Sequence, residues 1–327
     1  MRLLKASFVT YFRYQLFGDC RIHTPSPKHP PAHIGFFDIL SMEPVLPSEL
    51  EREIFETAAI QDKAVIPSFL RVCHRVHEWI EPLLYRVIVF SESEKHQSSV
   101  LALQSKSAEF KHAVRHAAVY SDKYASSAQE LLPQLVSIES LVIAGDCPLE
   151  LLDVMDTLHL STLLLSIPSF SPQWPRSTLP RALFRSVTHL TVYLGSVDDE
   201  VASWEDWSIL TSLPALTHLC MDDTLAPDLL QSIVENCNRL VAVIIAYWDG
   251  PWLKHTAIEL AQNLPVSDPR VIVTMIDDFD KAWPREAHSG NDLWARVDAF
   301  LVRKRRGEIE SSVYFMYDET DDAHSTL

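Results

Sequence analysis

Six hexapeptides govern the reading of this chain: VRHAAV (114–119), IESLVI (138–143), LSTLLL (160–165), VTHLTV (187–192), LTHLCM (216–221) and LVAVII (240–245). Each is apolar at its first, fourth and sixth positions, for example Val114/Ala117/Val119, Leu160/Leu163/Leu165 and Leu216/Leu219/Met221. With 47% of the residues apolar, one such triplet carries little weight. Regular recurrence carries more. The last positions step by 24, 22, 27, 29 and 24 residues, on the order of the 20–30 residues of stacked strand–helix repeats. A further apolar run, RVIVTMI (270–276), follows about 30 residues later. In a strand the fourth and sixth positions share one face, so each unit offers a sheet an apolar edge to bury.

Helix signals fill the gaps. Residues 203–213 begin with Ser203 as N-cap and place acids in the first turn. Residues 226–237 open on Pro227 and align Leu229, Leu230, Ile233 and Val234 on one face. Residues 255–264 behave likewise. In 291–307, Asn291 is the expected cap, Leu293, Val297, Phe300 and Leu301 the inner face, and Gly307 the stop. Amphipathic strand–loop–helix units bury their apolar faces by stacking on neighbours. The expectation is an α/β fold with parallel strands in one curved sheet and the helices behind it.

Upstream the composition changes. Residues 18–45 hold five prolines and read as linker, with order expected from about Val45. In LPSELEREIFETAA (46–59), Pro47 suits a first helical turn and Glu49, Glu51 and Glu53 favour its positive end. Leu50, Ile54 and Phe55 share a face. A second helix, IPSFLRVCHRVHEWI (66–80), opens on Pro67 and spaces Phe69, Leu70, Val72, Cys73, Val76 and Ile80 helically. Pro82 begins a short third piece, and RVIVF (86–90) reads as a strand. Three short helices carry more apolar surface than they can bury among themselves. The excess packs either on a partner or on the following domain, and the pattern leaves both open.

Segment 46–90 resembles the F-box family. The matching residues are Leu46-Pro47, the ELEREIF run (49–55), Val72-Cys73 placed 26 residues after Leu46, and Leu83-Leu84-Tyr85. It is most similar to the F-box-like proteins of mushroom-forming fungi. The repeats resemble the leucine-rich-repeat superfamily with irregular units, and the two resemblances together span about residues 46–317. They imply a short three-helix F-box-like module (46–90) followed by a leucine-rich-repeat-like α/β solenoid with a parallel sheet (91–317). An N-terminal extension (1–45) and an acidic tail (318–327) flank them. The implied role is a non-catalytic substrate-recognition adaptor of an SCF-type (cullin–RING) ubiquitin ligase. Its partners are the ligase adaptor subunit and an unknown protein target. The docking residues carried over are Leu46, Pro47, Leu50, Ile54, Phe55, Leu70, Val72, Cys73 and Val76. Departures from the family open an alternative, a repeat scaffold that no longer docks to a ligase. Val76 stands where a tryptophan follows the Val-Cys pair, Tyr85 replaces the closing tryptophan, and no repeat has the asparagine that ladders along such solenoids.

Composition argues against other classes. The net charge of −16 repels phosphate backbones, so nucleic acid is not an expected partner. Residues 1–17 hold three basic and no acidic residues, which fits a poorly ordered extension or a presequence. Five cysteines, none closer than 17 residues to the next, form neither a disulfide framework nor a Cys-x-x-Cys site and fit cytosol or nucleus. No membrane span is expected. Seven scattered glycines exclude phosphate-cradling loops and a nucleophile elbow. His112/His116 and His74/His77 have helical spacing but no evident third ligand. The pairs Asp198/Asp199, Asp222/Asp223 and Asp277/Asp278 fit turn chemistry after strands. Arg303 to Arg306 fits either the last turn of a helix or a targeting patch. No enzyme activity, metal or cofactor is expected.

Overall fold

The computed structural model describes residues 46–120, 122–144, 149–166, 181–193, 204–223, 225–248, 253–276 and 279–317. The readings of 1–45, Ser203, Asp198/Asp199, Asp277/Asp278 and the 318–327 tail lie outside these residues. The chain divides into two compact units, 1–54 and 55–327. The described part of the first is Leu46, Pro47 and the start of helix α1 (Ser48–Gln61).

The second unit begins with the rest of α1, and the single helix expected over 66–80 is corrected to two, α2 (Ile66–Phe69) and α3 (His74–Ile80), because Cys73 takes an extended backbone between them. Pro67 stands in the first turn of α2, where its missing N–H is harmless. Phe55, Ala59, Ile66, Val76 and Ile80 form a small buried core, with Phe69 edge-on to Phe55 at 4.9 Å between ring centroids.

A nine-stranded sheet follows: β1 (Val87–Phe90), β2 (His116–Val119), β3 (Ser140–Ile143), β4 (Thr162–Ser166), β5 (His189–Tyr193), β6 (His218–Asp222), β7 (Ala242–Trp248), β8 (Val271–Ile276) and β9 (Phe315–Met316). Every pair is parallel and spatial order equals chain order. Such a sheet has no reversal in strand order, the place where open α/β sheets bind ligands. The strand at 87–90, expected as the close of the helical module, is the first strand of this sheet.

The hexapeptides align position by position across β2 to β7: Ala117, Leu141, Leu163, Leu190, Leu219 and Val243 are successive partners. With their first and sixth positions they face the intervening helices. Those are α4 (Glu94–Gln104), α5 (Ala108–His112), α6 (Ala125–Leu131), α7 (Leu149–Met155), α8 (Trp204–Trp207), α9 (Pro227–Asn236) and α10 (Lys254–Gln262). One continuous core results, from Ile88 to Phe315. Its burial stabilises the fold by about 25 cal/mol per Å² of apolar surface removed from water.

The second hexapeptide position carries a ladder of its own. The backbone carbonyls of Arg115, Glu139, Ser161, Thr188 and Thr217 each accept two consecutive amides of the next strand. The hydroxyls of Ser161, Thr188 and Thr217 donate back to Glu139, Ser161 and Thr188 carbonyls at 3.0, 3.0 and 3.2 Å. These hydroxyls tie unit to unit without an asparagine ladder.

The expectation that every helix lies behind the sheet is corrected at the C-terminus. Helices α11 (Phe279–Ser289) and α12 (Leu293–Arg305) cover the opposite face. Ala287 of α11, with Phe279 and Trp283, packs on Val87, Val89, Ala118, Val142 and Leu164. Trp294, Val297, Phe300 and Leu301 of α12 pack on Cys220, Ala242, Ile244, Ile272 and Met316. The strands are apolar on both faces, as buried parallel strands are, so the second face is filled from within the chain. Asp292, not Asn291, caps α12: its carboxylate accepts from the Ala295 amide at 3.0 Å. Gly307 ends the helix at φ 72°, with Glu308 N–H on the Arg303 carbonyl.

Candidate functional site

The nine proposed docking residues separate into two groups. Phe55 and Val76 are buried in the module's core, and Leu70, Val72 and Cys73 are half-buried against it. Leu46 is half-buried and Pro47 exposed. Leu50 and Ile54, one helical turn apart on α1, are 47% and 42% exposed. Leu84, in the turn after α3, is exposed as well. Leu50 and Ile54 thus present two apolar side chains to solvent on the same side of the helix.

Within the second unit, the module joins the sheet through α11. The His288 ring, buried, bonds through Nε2 to the Ala59 carbonyl at 3.0 Å, and Arg86 Nε donates to the His288 carbonyl at 3.3 Å. Burial holds the His288 pKa below the usual imidazole range, against the opposing pull of the Ala59 bond.

The covered sheet face carries a row of polar side chains. Register places His116, Ser140, Thr162, His189 and His218 as consecutive neighbours on β2 to β6. The His189 and His218 rings stack at 4.3 Å, and Trp294 of α12 closes on them edgewise at 4.9 and 6.0 Å. Each Nδ1 lies 2.8 Å from the hydroxyl of the preceding residue, Thr188 or Thr217. His218 Nε2 lies 3.2 Å from Asp298 Oδ1 on α12. Burial, then the neighbouring His218, pushes the His189 pKa down to about 4. Burial, then Arg86, pushes that of His116 down to about 3. At both His116 and His189 burial favours the neutral imidazole.

The sequence shows this cluster only as Thr-His-Leu at 188–190 recurring at 217–219. Two histidines at one repeat position stand side by side once the strands pair. Asp298 has no such signal, since its arrival depends on which face α12 takes. The histidine pairs weighed from spacing lie elsewhere: His116 is in a strand and His112 in α5, while His74 and His77 each face a carboxylate one turn on, Glu78 and Glu81.

The basic run is divided. Lys304 turns inward, its ammonium 3.2 Å from the Pro269 carbonyl and 4.8 Å from the Tyr314 ring centroid. Arg303 and Arg306 reach Glu308. A groove of about 660 Å³ beside β9 is lined by Ile258, Leu264, Pro265, Val313 and Tyr314 among others, with no carboxylate, histidine or cysteine in its described lining. No helix among the described residues is long and apolar enough to cross a membrane. Comparison of the chain with models of known families, with curated proteins and with solved structures returns no match.

Proposed function

We propose that this protein is a non-catalytic substrate-recognition adaptor of an SCF-type ubiquitin ligase, docking through the helices of residues 46–85. The observation that carries the reading is the exposure of Leu50 and Ile54, 47% and 42%, on a helix whose Phe55 and Ala59 already build the module's core. A helix apolar on two faces has one face left for a partner. The resemblance of 46–90 to the F-box family supplies the partner's identity. Strands added one at a time in parallel suit a leucine-rich-repeat-like solenoid, the kind of domain that holds a target in that family. In this reading the target is held on surfaces other than the second sheet face, which α11 and α12 occupy.

Affinity purification of the full chain with mass spectrometry is the test, because ligase subunits and target are recovered together. Recovery of the ligase adaptor subunit, lost in Leu50→Asp and Ile54→Asp, is the expected result. Its absence with the unmutated, folded chain would sink the proposal.

One observation favours the second reading, a repeat scaffold without ligase docking. Val76, in the family's tryptophan position, is wholly buried in the module's own core and offers a partner nothing. The same purification, yielding a target without ligase subunits, would select it.

A further inference from the structure

The hydroxyl ladder offers one assignment of the protons around His189 and His218. Ser161 has no neighbouring ring, and its hydroxyl donates to the Glu139 carbonyl. Thr188 and Thr217 repeat that geometry toward Ser161 and Thr188 carbonyls. A hydroxyl has one proton. With it on the carbonyl, the oxygen receives the Nδ1–H of the adjoining imidazole. Each ring then keeps its proton on Nδ1 and a lone pair on Nε2. On His218 that lone pair meets Asp298 Oδ1 at 3.2 Å, acceptor against acceptor. A cation between them removes the conflict.

We propose that His189 Nε2, His218 Nε2 and the Asp298 carboxylate form a site for one divalent transition-metal ion of the zinc class, which pins α12 to strands β5 and β6. The three residues' ligand atoms lie within 4.8 Å of one another. A tetrahedral ion with bonds of ~2.0–2.1 Å needs its ligands ~3.3 Å apart. His218 Nε2 and Asp298 Oδ1 already stand 3.2 Å apart, so the remaining adjustment falls on the two imidazoles, stacked at 4.3 Å and 15° between planes, which must tilt for both Nε2 lone pairs to meet one ion. Two neutral imidazoles and a carboxylate suit zinc, and water from the Asp298 side would complete four-fold coordination. The Thr188 and Thr217 hydroxyls are the outer partners that orient each ring. The other tautomer of His218, with Thr217 O–H donating to Nδ1 and Nε2–H donating to Asp298, relieves the contact without an ion and is the competing arrangement.

The test is titration of the chelator-stripped full chain with Zn²⁺ by isothermal calorimetry, alongside melting with and without Zn²⁺. The native chain should bind one equivalent tightly and melt higher with the ion. Asp298→Asn keeps shape at an exposed position, and His189→Gln keeps a polar side chain at the strand. Each should weaken binding at least tenfold and abolish the melting shift, with a native-like circular dichroism spectrum. His74→Ala and His255→Ala, which remove exposed His–Glu pairs, should change neither. No tight binding by the native chain would overturn the proposal, leaving the other tautomer of His218. Binding that survives undiminished in folded Asp298→Asn and His189→Gln would overturn it as well.

Discussion

Phe300→Ala probes the closure of the second sheet face. Phe300 is 8% exposed and packs with Trp294, Val297 and Leu301 against Ala242, Ile244 and Ile272. A buried aromatic removes ~150–250 Å² from water, which at ~25 cal/mol per Å² gives an upper bound of ~4–6 kcal/mol. Alanine retains a part of this, and a cavity remains, so the expected loss is ~3–5 kcal/mol. Urea unfolding of the full chain measures it, as a fall in the midpoint with the slope unchanged. Arg303→Ala is the control. Its side chain is 59% exposed and pairs with Glu308 at 3.7 Å, so its loss should stay within ~0.5 kcal/mol. If Phe300→Ala costs less than ~1 kcal/mol, no more than the control, α12 does not close this face.

Acid should destabilise the fold through His116. Its folded pKa is pushed down to about 3 by burial, then by Arg86, while the unfolded value stays near 6.5. The unfolded chain therefore binds the extra proton, and this contribution declines as pH falls from 6.5 towards 3. The decline reaches about 2 kcal/mol at pH 5 and should be absent in His116→Gln, as unfolding at stepped pH will report. Arg270→Met should cost ~2–3 kcal/mol in chemical unfolding. The guanidinium binds Asp268 with both oxygens and also the carbonyls of Val234, Cys237 and Leu240 at the end of α9. Arg270→Lys should recover less than half, since one ammonium cannot span that fork.

The sheet was legible because apolar period and repeat spacing agree. Each hexapeptide became a strand, and its first, fourth and sixth positions became the larger core. Helices α9 and α10 followed from their caps and faces within two residues. What the pattern could not reach was the second layer. Pro284 in mid-helix and the charged residues around it hide α11. An apolar stripe on α12 states that the helix is buried, not which face of the sheet receives it. Strand residues such as Ala118, Val142 and Ile244 held the clue, being apolar where a one-sided sheet would be polar. The hydroxyl ladder was invisible for another reason. Serine and threonine at the second position carry no such signal until pairing sets carbonyls beside them. In the helical module, spacing marks Leu50, Ile54 and Phe55 as one face of the first helix, and only packing separates the exposed pair from buried Phe55.

The most direct test of the functional account is binary binding of the purified full chain to a purified cullin–RING adaptor subunit, compared with a Leu50→Asp/Ile54→Asp double variant. Two exposed apolar anchors worth ~2 kcal/mol each predict a loss of roughly 10³-fold. The variant should keep a native spectrum, since both positions are solvent-facing. Measurable binding by the native chain, abolished in the folded double variant, is the predicted result. A folded native chain that does not bind, or a double variant that binds equally well, would contradict the account.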